Sequence, residues 1–192
     1  MKRLRIVFQY NAPMTLTFAI ISFAALILGT VSGGALTTKF FCVYRASLTD
    51  PLTYLRFFTH VLGHADISHY TSNILLMLVI GPGLEERYGS RTMLWATLIT
   101  AFVAGVIQFV FFPGQGLLGA SGIVFMMIIM ASLGGMRSGG IPLTLVLVFL
   151  FYIGGEVYSG IALSDNISQL THIIGGVCGA VLGIIIRSRG KK

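Results

Sequence analysis

The sequence predicts an all-α membrane protein, a polytopic bundle of six transmembrane helices with both termini in the cytoplasm. Three observations predict it. Hydrophobic residues make up 55% of the 192-residue chain and charged residues only 10%, with a mean hydropathy of +0.89. An average soluble domain carries charge on about a quarter of its residues. The apolar residues fall in long runs rather than in period-2 or period-3.6 patterns, and runs of about 20 match the thickness of a bilayer core. The basic residues are divided unequally among the segments between those runs.

Taken in order, the runs are Met14–Ala35, Ser68–Leu84, Thr92–Phe112, Ala120–Met136, Pro142–Gly160 and Ser168–Ile186. Lipid offers backbone groups no partners, so each run is a helix or a strand of a closed barrel. Their length and continuous apolarity select helices. The first run follows Lys2, Arg3 and Arg5, as in a secretory signal, but it is longer than an h-region and is read as a retained first span. The second is short and polar at its start. The fourth opens directly on a glycine-rich turn. The segment 36–67 is the longest connection and is amphipathic, with Phe40, Phe41, Tyr44, Leu48, Leu52, Leu55, Phe57 and Phe58 among polar residues. It is expected to lie partly in the outer interface. No linker, charge run or strong internal repeat divides the chain, so residues 1–192 form a single domain.

Placing the N-terminus inside puts Lys2, Arg3, Arg5, Arg87, Arg91, Arg137, Arg187, Arg189, Lys191 and Lys192 on the cytoplasmic side. Only Lys39, Arg45 and Arg56 lie outside, as the positive-inside rule requires. The net charge of +7 is therefore assigned to topology and to anionic membrane lipids, not to nucleic acid. Cys42 and Cys178 do not form a disulfide framework.

Polar side chains inside a membrane are costly, and each needs a reason. Gly119-Ala120-Ser121-Gly122 opens the fourth span and puts a serine at a helix N-terminus, where its backbone N–H has no intrahelical partner and can face an oxyanion. An N-cap serine with packing glycines is the commoner meaning of such a tetrapeptide. His172 precedes Gly175 by three residues, and Gly175, Gly179 and Gly183 form a small-residue stripe that lets another helix approach closely. If that helix is the fourth span, His172 meets Ser121. His69 and Asn73 share one face at the start of the second span, and both can donate to an oxyanion; interhelical polar contact is the plainer alternative. His60 and His64 lie upstream, but their spacing lacks a helical zinc pattern, so no metal and no cofactor is expected. Glu85-Glu86-Arg87 falls at the inner end of the second span and reads as a structural salt bridge involving Glu85 and Arg87.

Together these residues supply a nucleophile, a base and oxyanion donors at one depth near the outer face. Asp66, Glu156 and Asp165 sit nearer loops or interfaces, so a Ser–His dyad without a triad acid is the expectation. Phe125, one turn after Ser121, can lay its ring on His172 in place of an orienting acid. Two rival readings remain: a catalytically silent membrane binding protein or chaperone, and a small transporter or channel. Intact Ser121 and His172 oppose the first. The second requires polar groups through the full membrane depth, whereas here they cluster near one face.

The order and spacing of these motifs resemble the rhomboid intramembrane serine proteases, in particular the short bacterial six-span type. The resemblance runs from about Leu52 to the end. It rests on Arg56-Phe57-Phe58-Thr59-His60, His64, His69-x-x-x-Asn73, Glu85-x-Arg87-x-Gly89-Ser90, Gly105, Gln108, Gly119-x-Ser121-Gly122 and His172-x-x-Gly175-x-x-x-Gly179. It implies a serine endopeptidase of the inner membrane that cuts transmembrane protein substrates, with Ser121 as nucleophile and His172 as base. It also implies an oxyanion hole of His69, Asn73 and the Ser121 N–H, a loop lying sideways in the outer leaflet, and a fifth span acting as lateral gate. Leu55 and Phe125 depart from the tryptophan and tyrosine frequent in the family.

Overall fold

The computed structural model describes residues 9–134, 143–148 and 166–189, and all their regular elements are helices. They are α1 (Pro13–Val31), α2 (Ala35–Phe41), α3 (Pro51–Thr59), a 3-10 turn (His60–Leu62), α4 (Ile67–Tyr88), α5 (Ser90–Phe111), α6 (Ser121–Gly134), α7 (Leu143–Val148) and α8 (Asn166–Arg189). Of the described helices, α1, α4 and α5 are long and apolar enough to cross a membrane, while Ser121–Gly134 and Thr171–Ile186 are shorter apolar helices. Most of the expected fifth span, with its gating role, lies outside the described residues, as do Arg137, Glu156, Asp165 and the basic residues at the extreme termini.

The helix ends follow local chemistry. Pro13 begins α1 where its missing N–H is no loss. Gly33 and Gly34, at φ +61° and +88°, stop α1 and turn the chain straight into α2. The Gly34 N–H closes α1 by donating to the Gly29 carbonyl at 2.8 Å. Asp50 caps α3 through Leu52 N–H, and Asp66 caps α4 through His69 N–H at 2.8 Å. Asp66, one of the carboxylates set aside as a triad acid, is thus committed to a helix cap.

The outer connection holds two short helices rather than an open loop. Buried Arg56 fastens it, donating from Nε to the Lys39 carbonyl at 2.8 Å and lying 4.6 Å from the Tyr44 ring centroid. Thr59 Oγ1 adds a bond to the Phe40 carbonyl. Leu55 points outward, so the segment is held by Arg56 and not by the position where the family often has tryptophan.

The core is built around α6. Every residue from Gly122 to Met130 is buried, so this helix is enclosed by protein on all sides. By contrast α1, α4 and α5 each expose a large apolar face: Ile20, Phe23 and Val31; Leu75 and Val79; Leu94, Trp95 and Phe102. Faces of this kind are not found on soluble monomers, and they are the lipid-facing surface of an integral membrane protein.

Glu85 requires a correction. The expected pairing with Arg87 is absent; the ion pair among the described residues is Arg56–Asp50 at 3.4 Å. The buried Glu85 carboxylate instead accepts from Met14 N–H at 3.0 Å and Thr15 N–H at 2.7 Å. It therefore caps α1 from α4. The reason is the helix end: Ala12 has no capping side chain, and the first N–H groups of a helix need an acceptor, preferably an anionic one. Next to them, Gly81 packs so closely on Thr15 that a methyl could not fit. Arg87 lies over the Tyr88 ring and against Gly134 of α6.

Candidate active site

Ser121 is the first residue of α6. Just before it, Gly119 has φ +122°, a conformation costly for any side chain. Its N–H donates to the His60 carbonyl at 2.9 Å. Its Cα lies directly against the His69 ring: a methyl there would stand 2.8 Å from both Cε1 and Nε2. The glycine ahead of the serine is therefore what lets the His69 imidazole reach the start of α6.

His69 is itself positioned from two sides. Its backbone is fixed by the Asp66 cap, and its ring packs edge-on against His64 at 5.1 Å between centroids. Asn73 is buried one turn further on. Its Nδ2 donates to the His69 carbonyl at 3.0 Å, which uses one of the two amide N–H donors and leaves the second for another acceptor.

The glycine stripe of α8 meets α6, and these two helices form the most extensive helix pair among the described elements. A methyl on Gly175 would overlap the Gly122 carbonyl oxygen, and one on Gly179 would lie 2.6 Å from the Met126 carbonyl oxygen. Gly122 in turn faces Thr171, whose Cγ2 would stand 3.0 Å from an added methyl. These contacts set Thr171-His172 beside Ser121-Gly122. The buried His172 ring lies 5.9 Å from the Phe125 ring centroid, with planes inclined at 40°. The two rings are neighbours at a tilt and do not form a flat stack.

Several supporting contacts were not legible in the sequence. Val43 of the outer connection and Leu117 exchange two backbone bonds of 2.9 and 2.8 Å, tying that connection to the segment before Ser121. Gln108 Nε2 donates to the Gln115 carbonyl at 3.0 Å. His60 links three parts, since its carbonyl accepts from Gly119 while its Nε2 lies 3.0 Å from the Ala101 carbonyl of α5. A histidine buried near a serine loop raises a metal question from sequence, but this one acts as a clamp. Burial holds the His60 and His64 imidazoles below their ordinary value of 6.5; for His64, repulsion from His69 adds to the effect.

A serine at a helix start, an imidazole across a glycine seam and a second imidazole against the preceding glycine are the parts of an acyl-transfer site. The rhomboid domain, as a protein family, matches residues 51–189. The chain is 35% identical over 82 residues to the rhomboid protease GlpG of Enterobacter sp. (strain 638), covering 43% of this chain and 29% of that protein. It is 28% identical over 141 residues to the rhomboid protease GlpG of Salmonella paratyphi A (strain ATCC 9150 / SARB42), covering 71% of this chain and 50% of that protein. The chain thus spans about half the length of these relatives, or less. The family match extends over most of the chain and includes His69, Asn73, Ser121 and His172: the protein is a member of the rhomboid family.

Proposed function

We propose that this rhomboid-family protein is an intramembrane serine endopeptidase that hydrolyses peptide bonds in or beside the transmembrane segments of other membrane proteins. One observation carries the reading. The Gly175–Gly122 contact brings the base-bearing turn of α8 against the serine-bearing turn of α6, with Phe125 beside the imidazole.

In this reading the His172 imidazole takes the proton of Ser121 as the hydroxyl attacks the scissile carbonyl. The Ser121 N–H, His69 and the second N–H of Asn73 receive the developing oxyanion. Removing one such donor typically costs about 2.7–4 kcal/mol of barrier. His172 then protonates the leaving amine, and water completes hydrolysis of the acyl-enzyme. Gly119, Gly122, Gly175 and Gly179 serve by close approach rather than by chemistry. A substrate helix hides its carbonyls in its own hydrogen bonds, so it must unwind locally, which favours small or helix-breaking residues at the cut.

The same proposal includes a single domain over residues 1–192 with six spans and cytoplasmic termini, placing the site near the outer face of an inner membrane. The excess of basic residues on one side supports that orientation. The test is labelling of the purified protein by a serine-directed fluorophosphonate, beside cleavage of a transmembrane reporter. Wild type should label and cleave, while Ser121→Ala and His172→Ala should do neither and retain wild-type helicity. Normal cleavage by Ser121→Ala would overturn the mechanism. Wild-type protein that neither labels nor cleaves would point to a silent binding protein.

A further inference from the structure

Among the described residues a cavity lies between α1 and α5, and Ser121 is not among the residues that line it. It is a groove of about 510 Å³, within the roughly 300–1,000 Å³ range of built ligand sites. Its walls are apolar along α1 (Met14, Phe18, Ile21) and α5 (Leu94, Leu98, Ala101). Phe58, Val61 and Leu62 close it at the end nearer the outer connection. At the opposite end stand Ser90 and Arg91, in the first turn of α5.

We propose that this groove is a binding site for one anionic phospholipid, with an acyl chain between α1 and α5 and the phosphate on Arg91. Two observations support that occupant. The first is length. From Ser90 to Ala101 a helix rises roughly 16 Å, close to half of the ~30 Å hydrocarbon core. The groove therefore takes a chain from one leaflet and is stopped by the 3-10 turn where the other leaflet begins. The second is charge. Among the described residues the exposed Arg91 side chain makes no ion pair or hydrogen bond, while the neighbouring Glu85 carboxylate is engaged by the N–H groups of Met14 and Thr15 and by the Ser90 side chain. Nothing in this inference depends on the proteolytic reading or on which side of the membrane is cytoplasmic.

Native mass spectrometry of the full chain, with phosphatidylglycerol and phosphatidylcholine of matched chains at equal concentration, tests it. One retained phosphatidylglycerol is expected, favoured about fivefold, the ratio equivalent to about 1 kcal/mol for one basic side chain near an anionic headgroup. Arg91→Gln should remove the preference but keep weak retention of both lipids. Ala101→Phe should abolish retention of both, and Leu98→Phe repeats the blockade should the first variant misfold. Equal retention of the two lipids by wild type, or a preference unchanged in Arg91→Gln, would mean annular lipid only and would overturn the proposal. Undiminished retention in a folded groove-filling variant would do the same.

Discussion

Replacing Gly175 by alanine tests whether the α6–α8 seam sets the catalytic geometry. The added methyl would overlap the Gly122 carbonyl oxygen and lie 2.9 Å from its carbonyl carbon and 3.1 Å from its Cα. Carbon atoms rest at about 3.5–4.0 Å, and all three obstacles are backbone, which cannot rotate away. The helices must therefore part by about 1 Å at the turn that carries His172 and Ser121. Overpacking of this kind costs about 1–3 kcal/mol of stability, which a helical membrane protein can absorb. A displacement near 1 Å at a catalytic pair can cost about 100-fold in rate. The assay is cleavage of a transmembrane reporter in proteoliposomes, with a thermal melt on the same preparation. Gly183→Ala is the internal control. Its methyl would meet the flexible Leu133 Cδ1 at 3.1 Å, and its activity should stay within about threefold of wild type, under 1 kcal/mol of barrier. Wild-type turnover by Gly175→Ala, or equal damage from Gly183→Ala, would refute the reasoning.

Other perturbations reach other parts of the molecule. Gly119→Ala forces a side chain into φ +122° and against the His69 ring; cleavage should fall on the order of 100-fold, comparable with losing an oxyanion donor, while circular dichroism is unchanged. Glu85→Gln removes the anionic cap of α1 and should lower stability by about 1–2 kcal/mol, read as a lower melting temperature with the serine still reactive toward fluorophosphonate. His60 and His64 are held below 6.5 by burial. Between that value and their folded values the unfolded chain binds more protons, so their contribution is present above about pH 6.5 and declines as pH falls below it. Melting temperature should therefore drop between pH 7 and 5, and His64→Gln should flatten that slope.

Sequence was most informative where one helix had to satisfy a single physical demand. Bilayer thickness marked α1, α4 and α5 to within a few residues of their ends. The i, i+4 glycines of α8 announced close approach, and the structure places their partner as Gly122 and Met126 of α6. Sequence was least informative where the partner lay far along the chain. Glu85 has Arg87 two residues away and bonds instead to an N-terminus 70 residues distant, because unmet N–H groups outweigh a lipid-edge ion pair. The Gly119–His69 contact and the Val43–Leu117 bridge were equally hidden, since neither pattern has a local period. The Asn73 spacing points to an oxyanion donor or an interhelical contact, whereas one of its N–H donors goes to the local i–4 carbonyl of His69.

The Gly122–Gly175 contact also bears on where a substrate can enter. At that seam main chain rests on main chain, with no side chain between to swing aside. On the proteolytic reading proposed above, prising it open to admit a helix would part the nucleophile from its base just as the scissile bond arrived, and that reading therefore puts admission along another flank of the bundle. On the same reading, adjusting which proteins get in and preserving the cutting apparatus become separable tasks, because a side chain can change on the entry flank without touching this pair of glycines.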